Sequence, residues 1–113
     1  MRLDTLTLTT RDLARSRAFY SAKLGFRVLE DQEGRSFVLD AGGVKLHVDV
    51  EGARVPLTQA EPRLLFDTEG LAERCTSLRD LGVSVNGPMR SPAGVFAELS
   101  DPDGHPIILW ERN

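Results

Sequence analysis

The strongest constraint on this chain is that it states one plan twice. Leu13-Ala14 recurs as Leu71-Ala72, Leu24-Gly25 as Leu81-Gly82, and Gly43 as Gly104, so that Leu46-His47 falls on Ile107-Ile108. Repetition at a nearly constant offset marks one supersecondary unit used twice. The first copy shows which unit. Leu3–Thr9 alternates, with Leu6 and Leu8 against Thr5, Thr7 and Thr9, which is the period of a strand. Asp12 suits a helix N-cap, where its carboxylate accepts an otherwise unpaired backbone N–H. Leu13, Arg17, Tyr20 and Leu24 follow at helical spacing, and Gly25 stands where the residue past a helix needs a left-handed conformation. Phe26–Leu29, Ser36–Leu39 and Val44–Val50 read as three strands, separated by turns at Asp31–Gly34 and Ala41-Gly42-Gly43.

The second copy keeps that order. Glu51–Glu61 is polar, carries Gly52 and Pro56, and reads as a linker. Arg63–Asp67 reads as a strand with Leu64 and Phe66 opposite Arg63, Leu65 and Asp67. A helix from Gly70 to Leu81 sets Leu71, Cys75 and Leu78 on one stripe, with Gly82 at its end. Val83–Val85 starts a further strand, and Gly87–Gly94 reads as a Gly/Pro/Ser loop. A hairpin closes the chain around Asp101-Pro102-Asp103-Gly104, whose Asp first, Pro second and Gly fourth specify a type I turn. In the last strand Ile107 and Leu109 face opposite to Ile108 and Trp110. One pair belongs to the core and the other to whatever cavity the sheet forms. The predicted fold is α+β: a single domain over 1–113, made of a βαβββ module at 1–55 and another at 61–113, forming a curved mixed sheet with a concave cup.

Composition narrows the function by exclusion. Net charge is −3 with no block of like charges, which argues against a nucleic-acid or membrane surface as partner. No signal-peptide pattern and no apolar run long enough to span a bilayer is present, so a cytoplasmic protein is expected. The one cysteine, Cys75, cannot form an internal disulfide and fits a reducing compartment; its place on the buried helix stripe makes it structural. The sequence has no phosphate-binding glycine loop, nucleophile elbow or CxxC pair.

Leu8-Thr9-Thr10-Arg11-Asp12-Leu13, then Phe19-Tyr20 and Leu24-Gly25-Phe26, and finally Asp101-Pro102-Asp103-Gly104-His105 fall in order on this doubled pattern. In these motifs the chain resembles the vicinal oxygen chelate superfamily, which includes glyoxalases, bleomycin-resistance proteins and extradiol dioxygenases. The resemblance spans nearly the whole chain. It implies paired modules wrapping a cup, often completed across a homodimer, and exposed sheet edges give pairing a physical reason. It also implies, for the enzymes, a divalent metal held by one ligand from the first and last strand of each module. The matching positions here are Thr5, His47, Arg63 and Ile108; family enzymes commonly carry His at the first and Glu at the last.

Of these four, His47 alone is a competent ligand for Zn²⁺, Fe²⁺, Mn²⁺ or Ni²⁺. Thr5 is a weak neutral donor, Ile108 has no donor, and Arg63 is a permanent cation. A catalytic metal wants about three protein ligands and an open position. No metal or other cofactor is therefore expected. Shifting the match by two residues within a strand preserves facing and brings in Asp49, Asp67 and Glu98 as substitutes.

The ligand-binding residues expected from this reading are Thr7, His47, Arg63, Ile108 and Trp110. His47 faces the cup, either touching a ligand or as a solvated histidine. Arg63 faces inward and needs a carboxylate, from Asp49, Asp67 or Glu98 or from a substrate. Trp110 shares the face of Ile108 and suits stacking on a planar ligand, or packing at a dimer interface. Thr7 and Thr9 fill a polar strand face and present hydroxyls to it. Phe19 and Tyr20 read as core, and His105 as an exposed turn residue. The function this predicts is sequestration of a small planar or aromatic organic molecule in a metal-free cup, as in the bleomycin-resistance branch. The alternative is a metal-dependent lyase, isomerase or dioxygenase using His47 with nearby carboxylates.

Overall fold

Each copy of the repeat folds its last strand beside its first. A computed structural model describes residues 3–50 and 64–113. The first copy runs β1 (Thr5–Thr10), α1 (Leu13–Arg17) with a wider π-helical continuation (Ala18–Lys23), β2 (Arg27–Gln32), β3 (Ser36–Asp40) and β4 (Lys45–Val50). The second runs β5 (Leu64–Asp67), α2 (Leu71–Asp80), β6 (Asn86–Ser91), β7 (Gly94–Ser100) and β8 (Pro106–Arg112). The sheet orders are β1-β4-β3-β2 and β5-β8-β7-β6. β1 runs parallel to β4 and β5 parallel to β8, and the other neighbours are antiparallel. Strand for strand the two orders coincide, so the expected pair of βαβββ modules with mixed sheets is present. The chain divides into two compact units, Met1–Glu61 and Pro62–Asn113. The linker expected at Glu51–Glu61 lies outside the described residues.

Each sheet buries one face under its own helix. In the first, Leu8, Phe37, Leu39, Leu46 and Val48 are buried with Phe19 and Tyr20. Register places Leu8 beside Val48 and Val48 beside Phe37, so these side chains form one cross-strand row. In the second, Leu64, Ala97, Leu99, Ile107 and Leu109 are buried with Leu71, Cys75 and Leu78 of α2, which packs on β6, β7 and β8. Each buried Leu, Ile, Val or Phe among these contributes roughly 1.5–3 kcal/mol through its removal from water. Burial also pushes the Cys75 thiol up in pKa, away from the reactive thiolate.

The first helix departs from its expected stripe. Arg17 is exposed and pairs with Asp31 at 3.0 Å, whereas the adjacent Phe19 and Tyr20 are both buried, with their rings edge-to-face at 5.2 Å. The cause is the π-helical stretch, in which the Leu24 N–H reaches the Phe19 carbonyl five residues back. Asp12 caps α1 as expected, accepting from the Arg15 N–H at 3.0 Å, and Gly25 follows the helix with φ +84°.

A second departure is β6. The segment from Gly87 to Gly94 read as a loop, and Val83–Val85 as a strand. Instead β6 occupies Asn86–Ser91, and 83–85 is irregular. Proline is tolerated because β6 is an edge strand whose register shifts between Asn86 and Met89, leaving Gly87-Pro88 in the irregularity. The Arg79 guanidinium holds this entry by donating to the Val85 and Gly87 carbonyls. At the other end of the strand pair, a Cβ on Gly94 would overlap the Glu111 carbonyl oxygen.

The two modules also start their helices differently. Asp12 is a local cap, but α2 begins after Gly70, which has no side chain to cap with. The carboxylate of Glu111 on β8 fills that role, accepting from the Gly70 N–H at 2.8 Å and the Leu71 N–H at 3.3 Å. An anion at a helix N-terminus is favoured by both hydrogen bonding and the helix dipole. Glu111→Ala is therefore expected to lower unfolding free energy by about 1–2 kcal/mol, as loss of a charged cap does. Denaturant titration of the variant checks this, with Glu111→Gln falling in between; unchanged stability of Glu111→Ala would contradict the capping role.

Candidate functional site

The alternation that buries one face of each sheet fixes what the other face carries. On the first sheet, register sets Thr7 beside His47 and His47 beside Val38. The next row is Thr9, Asp49 and Ser36, and the row on the other side is Thr5, Lys45 and Asp40. His47 Nε2 lies 3.1 Å from Asp49 Oδ1, and the two side chains retain 18% and 11% of their exposure. Thr7 is exposed, and it is Thr7 that stands directly across from His47; Thr5 stands across from Lys45. The Thr5 hydroxyl is occupied, donating to Asp4 Oδ2 at 2.7 Å.

The second sheet presents a different chemistry in the same geometry. Leu65, Ile108 and Glu98 form one row away from α2, and Asp67, Trp110, Phe96 and Met89 form the next. Ile108 and Trp110 share this face, as alternation required. The Phe96 and Trp110 rings lie 6.4 Å apart at 38°, and Leu65 remains 58% exposed. Phe96 was missed as a site residue in the sequence, where it looked like part of an apolar run. Its alternation with the buried Ala97, set against β8, was the available signal. Arg63 lies outside the described residues.

The turns before β4 and β8 are also copies of each other. Asp40 Oδ1 accepts from the Gly42 N–H at 3.0 Å, and Asp101 Oδ1 from the Asp103 N–H at 2.9 Å. Bonding to the Gly42 N–H first, with the Gly43 N–H and Arg27 adding to it, holds the Asp40 carboxyl below its ordinary pKa despite some desolvation. Asp101 also accepts from the His105 N–H at 2.9 Å, and the Gly104 N–H closes the type I turn onto the Asp101 carbonyl. His105 is consequently buried, not exposed as the sequence suggested: its turn position places it against Asp101, 3.9 Å from Oδ2. Asp101, Asp103 and His105 are the one group of three metal-ligating side chains brought together among the described residues. The Asp101 carboxylate there is already committed to turn backbone, which accounts for the group structurally.

The model of the Glyoxalase/Bleomycin resistance protein/Dioxygenase superfamily matches residues 2–109. The chain belongs to this superfamily. It is 30% identical to the lactoylglutathione lyase of Salmonella typhimurium, over 98% of this chain and 93% of that protein. Among solved structures it is similar to TnmS3, an antibiotic binding protein from Streptomyces sp. CB03234, with TM-score 0.81 and 28% identity over 100% of this chain and 97% of that one. A glyoxalase/bleomycin resistance protein from the same organism aligns with TM-score 0.73 and 29% identity, over 96% and 99% of the two chains. No helix among the described residues is long and apolar enough to cross a membrane.

The metal implied for enzymes of this superfamily does not fit the residues found here. Thr5 offers a weak oxygen already engaged by Asp4 and Ile108 offers hydrocarbon, which leaves His47 as the one competent ligand at the expected positions among the described residues. Incubation with Ni²⁺ or Zn²⁺ followed by desalting is expected to leave well under one metal per chain by elemental analysis. Stoichiometric retention would show that other donors complete a site.

Proposed function

We propose that this protein binds a small planar or aromatic organic molecule and sequesters it without metal chemistry. The observation that carries this reading is the Phe96–Trp110 ring pair on the helix-free face of the second sheet, flanked by Ile108 and the exposed Leu65. Two tilted rings beside aliphatic side chains offer a flat apolar ligand offset stacking and area to bury. Trp110 and Ile108 are the proposed binding residues on this face, with Thr7 and His47 on the corresponding face of the first sheet. Arg63 joins them on its sequence position. The likeness to an antibiotic binding protein supports the reading. The proposal places the protein in the cytoplasm as a homodimer.

A second reading rests on the lactoylglutathione lyase relatives: a lyase, isomerase or dioxygenase using His47 with Asp49, Asp67 or Glu98. The donor chemistry at Thr5 and Ile108 stands against it, and an assay for lactoylglutathione lyase activity with added metal separates the two.

Trp110 is the chain's one tryptophan, so its fluorescence reports the proposed face directly. Titration of a dimer verified by sedimentation with planar aromatic drugs is expected to give saturable quenching. Calorimetry with Trp110→Ala should show binding weakened about tenfold or more, the scale of losing one aromatic contact. A monomer in the centrifuge removes the homodimer; a broad panel without any quench removes the binding reading.

A further inference from the structure

On the second sheet each ring of the helix-free face has a carboxylate for a neighbour. One row across β5, β8, β7 and β6 reads Asp67, Trp110, Phe96 and Met89, and the next reads Leu65, Ile108, Glu98 and Asn86. Asp67 therefore stands directly across from Trp110, and Glu98, two residues along β7 from Phe96, shares its face. Both acids are exposed, and among the described residues no hydrogen bond or ion pair engages either side chain. The described cation on this face is Arg112, one row beyond the rings and set in register against Gly94. Arg63 lies outside the described residues. The charge bias extends through this part of the chain. Over 64–113 eight acidic residues stand against four arginines and no lysine, whereas over 3–50 the two signs are equal in number.

We infer that the Trp110–Phe96 face of the second sheet selects planar cations, such as an aromatic ligand with a quaternary or protonated ring nitrogen, over neutral and anionic molecules of the same shape. The inference deepens the binding reading above and rests on Trp110 being among the ligand-binding residues. Two attractions act on the same ligand charge. The face of an indole ring carries negative potential, so a cation stacked on it gains what a neutral ring does not. Asp67 beside Trp110 and Glu98 beside Ile108 add a Coulomb attraction that needs no direct contact. A ligand carboxylate meets the same two charges and is repelled. Because both acids are exposed, water and salt screen them, which keeps the discrimination modest and makes it fall with ionic strength. Stacking on the rings supplies affinity in this scheme, and the two acids supply the choice among charges.

The test uses three probes of one shape near neutral pH: N-methylacridinium, a fixed cation; acridine, uncharged under those conditions; and acridine-9-carboxylate, an anion. Calorimetry gives their affinities, and quenching of Trp110 reports that each reaches this face. The cation is expected to bind about tenfold tighter than acridine and the carboxylate more weakly than acridine, with the spread shrinking between roughly 50 and 500 mM NaCl. Asp67→Asn/Glu98→Gln should bring the cation-to-neutral ratio close to one. Should that double variant fail to fold, each single variant is expected to cut the ratio by about threefold. Glu73→Gln/Asp80→Asn removes the same charge from the exposed side of α2 and should leave the ratio as it was. Equal affinities for cation and acridine with Trp110 quenched, as a compensating cation on this face would give, overturn the charge selection and leave the binding reading standing. A preference that survives loss of Asp67 and Glu98, or that the α2 pair abolishes equally, overturns it as well. No response from any of the three probes removes both.

Discussion

The parallel pairing of each module's first strand with its last is the constraint on which the rest depends. A parallel pair cannot be closed by a tight turn, so the chain must leave and return through other elements. Here it returns through a helix and two antiparallel strands, giving β1-β4-β3-β2 and again β5-β8-β7-β6. Because the helix covers one face of each sheet, alternate residues along every strand are divided between core and opposite face. Leu46 and Val48 go inward, which turns Lys45, His47 and Asp49 outward. Ile107 and Leu109 go inward, which turns Ile108 and Trp110 outward. Among the described residues, the site residues on these strands take their facing from that division.

Identical frames then carry different chemistry. The first sheet's helix-free face is mostly polar, with hydroxyls, His47, Lys45 and carboxylates around Val38, and the second's carries Leu65, Ile108, Phe96 and Trp110 with acids beside them. The same divergence appears in structural roles. The turn before the last strand keeps its aspartate in both copies, Asp40 and Asp101, because its carboxylate satisfies turn N–H groups in each. The helix cap does not survive as a local residue: Asp12 serves the first helix, and Glu111 reaches across from β8 to serve the second. A need for a cap is general, whereas the residue that meets it is free to move.

Much of this was legible from residue order alone, because period and turn chemistry are local. The repeat, the strand facing of His47 and Trp110, the stripe of Leu71, Cys75 and Leu78, and the Asp-Pro-Asp-Gly turn all follow from spacing. What stayed hidden depended on partners distant in sequence. Gly87-Pro88 looks like a chain breaker, and becomes part of a strand because β7 supplies a pairing partner on an edge. The widened helix turn, which brings both Phe19 and Tyr20 into the core, leaves no mark in the 3.6-residue spacing. The burial of His105 depends on how Asp101 folds back over the turn. Phe96 needed the β7–β8 register before it could be placed beside Trp110. The spacing of His47 and Asp49 shows that they share a face, whereas their 3.1 Å approach depends on side-chain rotamers that spacing does not fix.

The central claim is that the faces turned away from the helices, where superfamily enzymes are expected to hold metal, serve this chain as an organic ligand surface. Backbone and side-chain chemical-shift mapping during titration with a planar aromatic compound tests it most directly. Perturbations are expected at Thr7, His47, Phe96, Ile108 and Trp110, with Leu71, Cys75 and Leu78 on the buried face of α2 unmoved. Perturbations confined to the helical faces or to the Asp101–His105 turn, with those five residues silent, would contradict it.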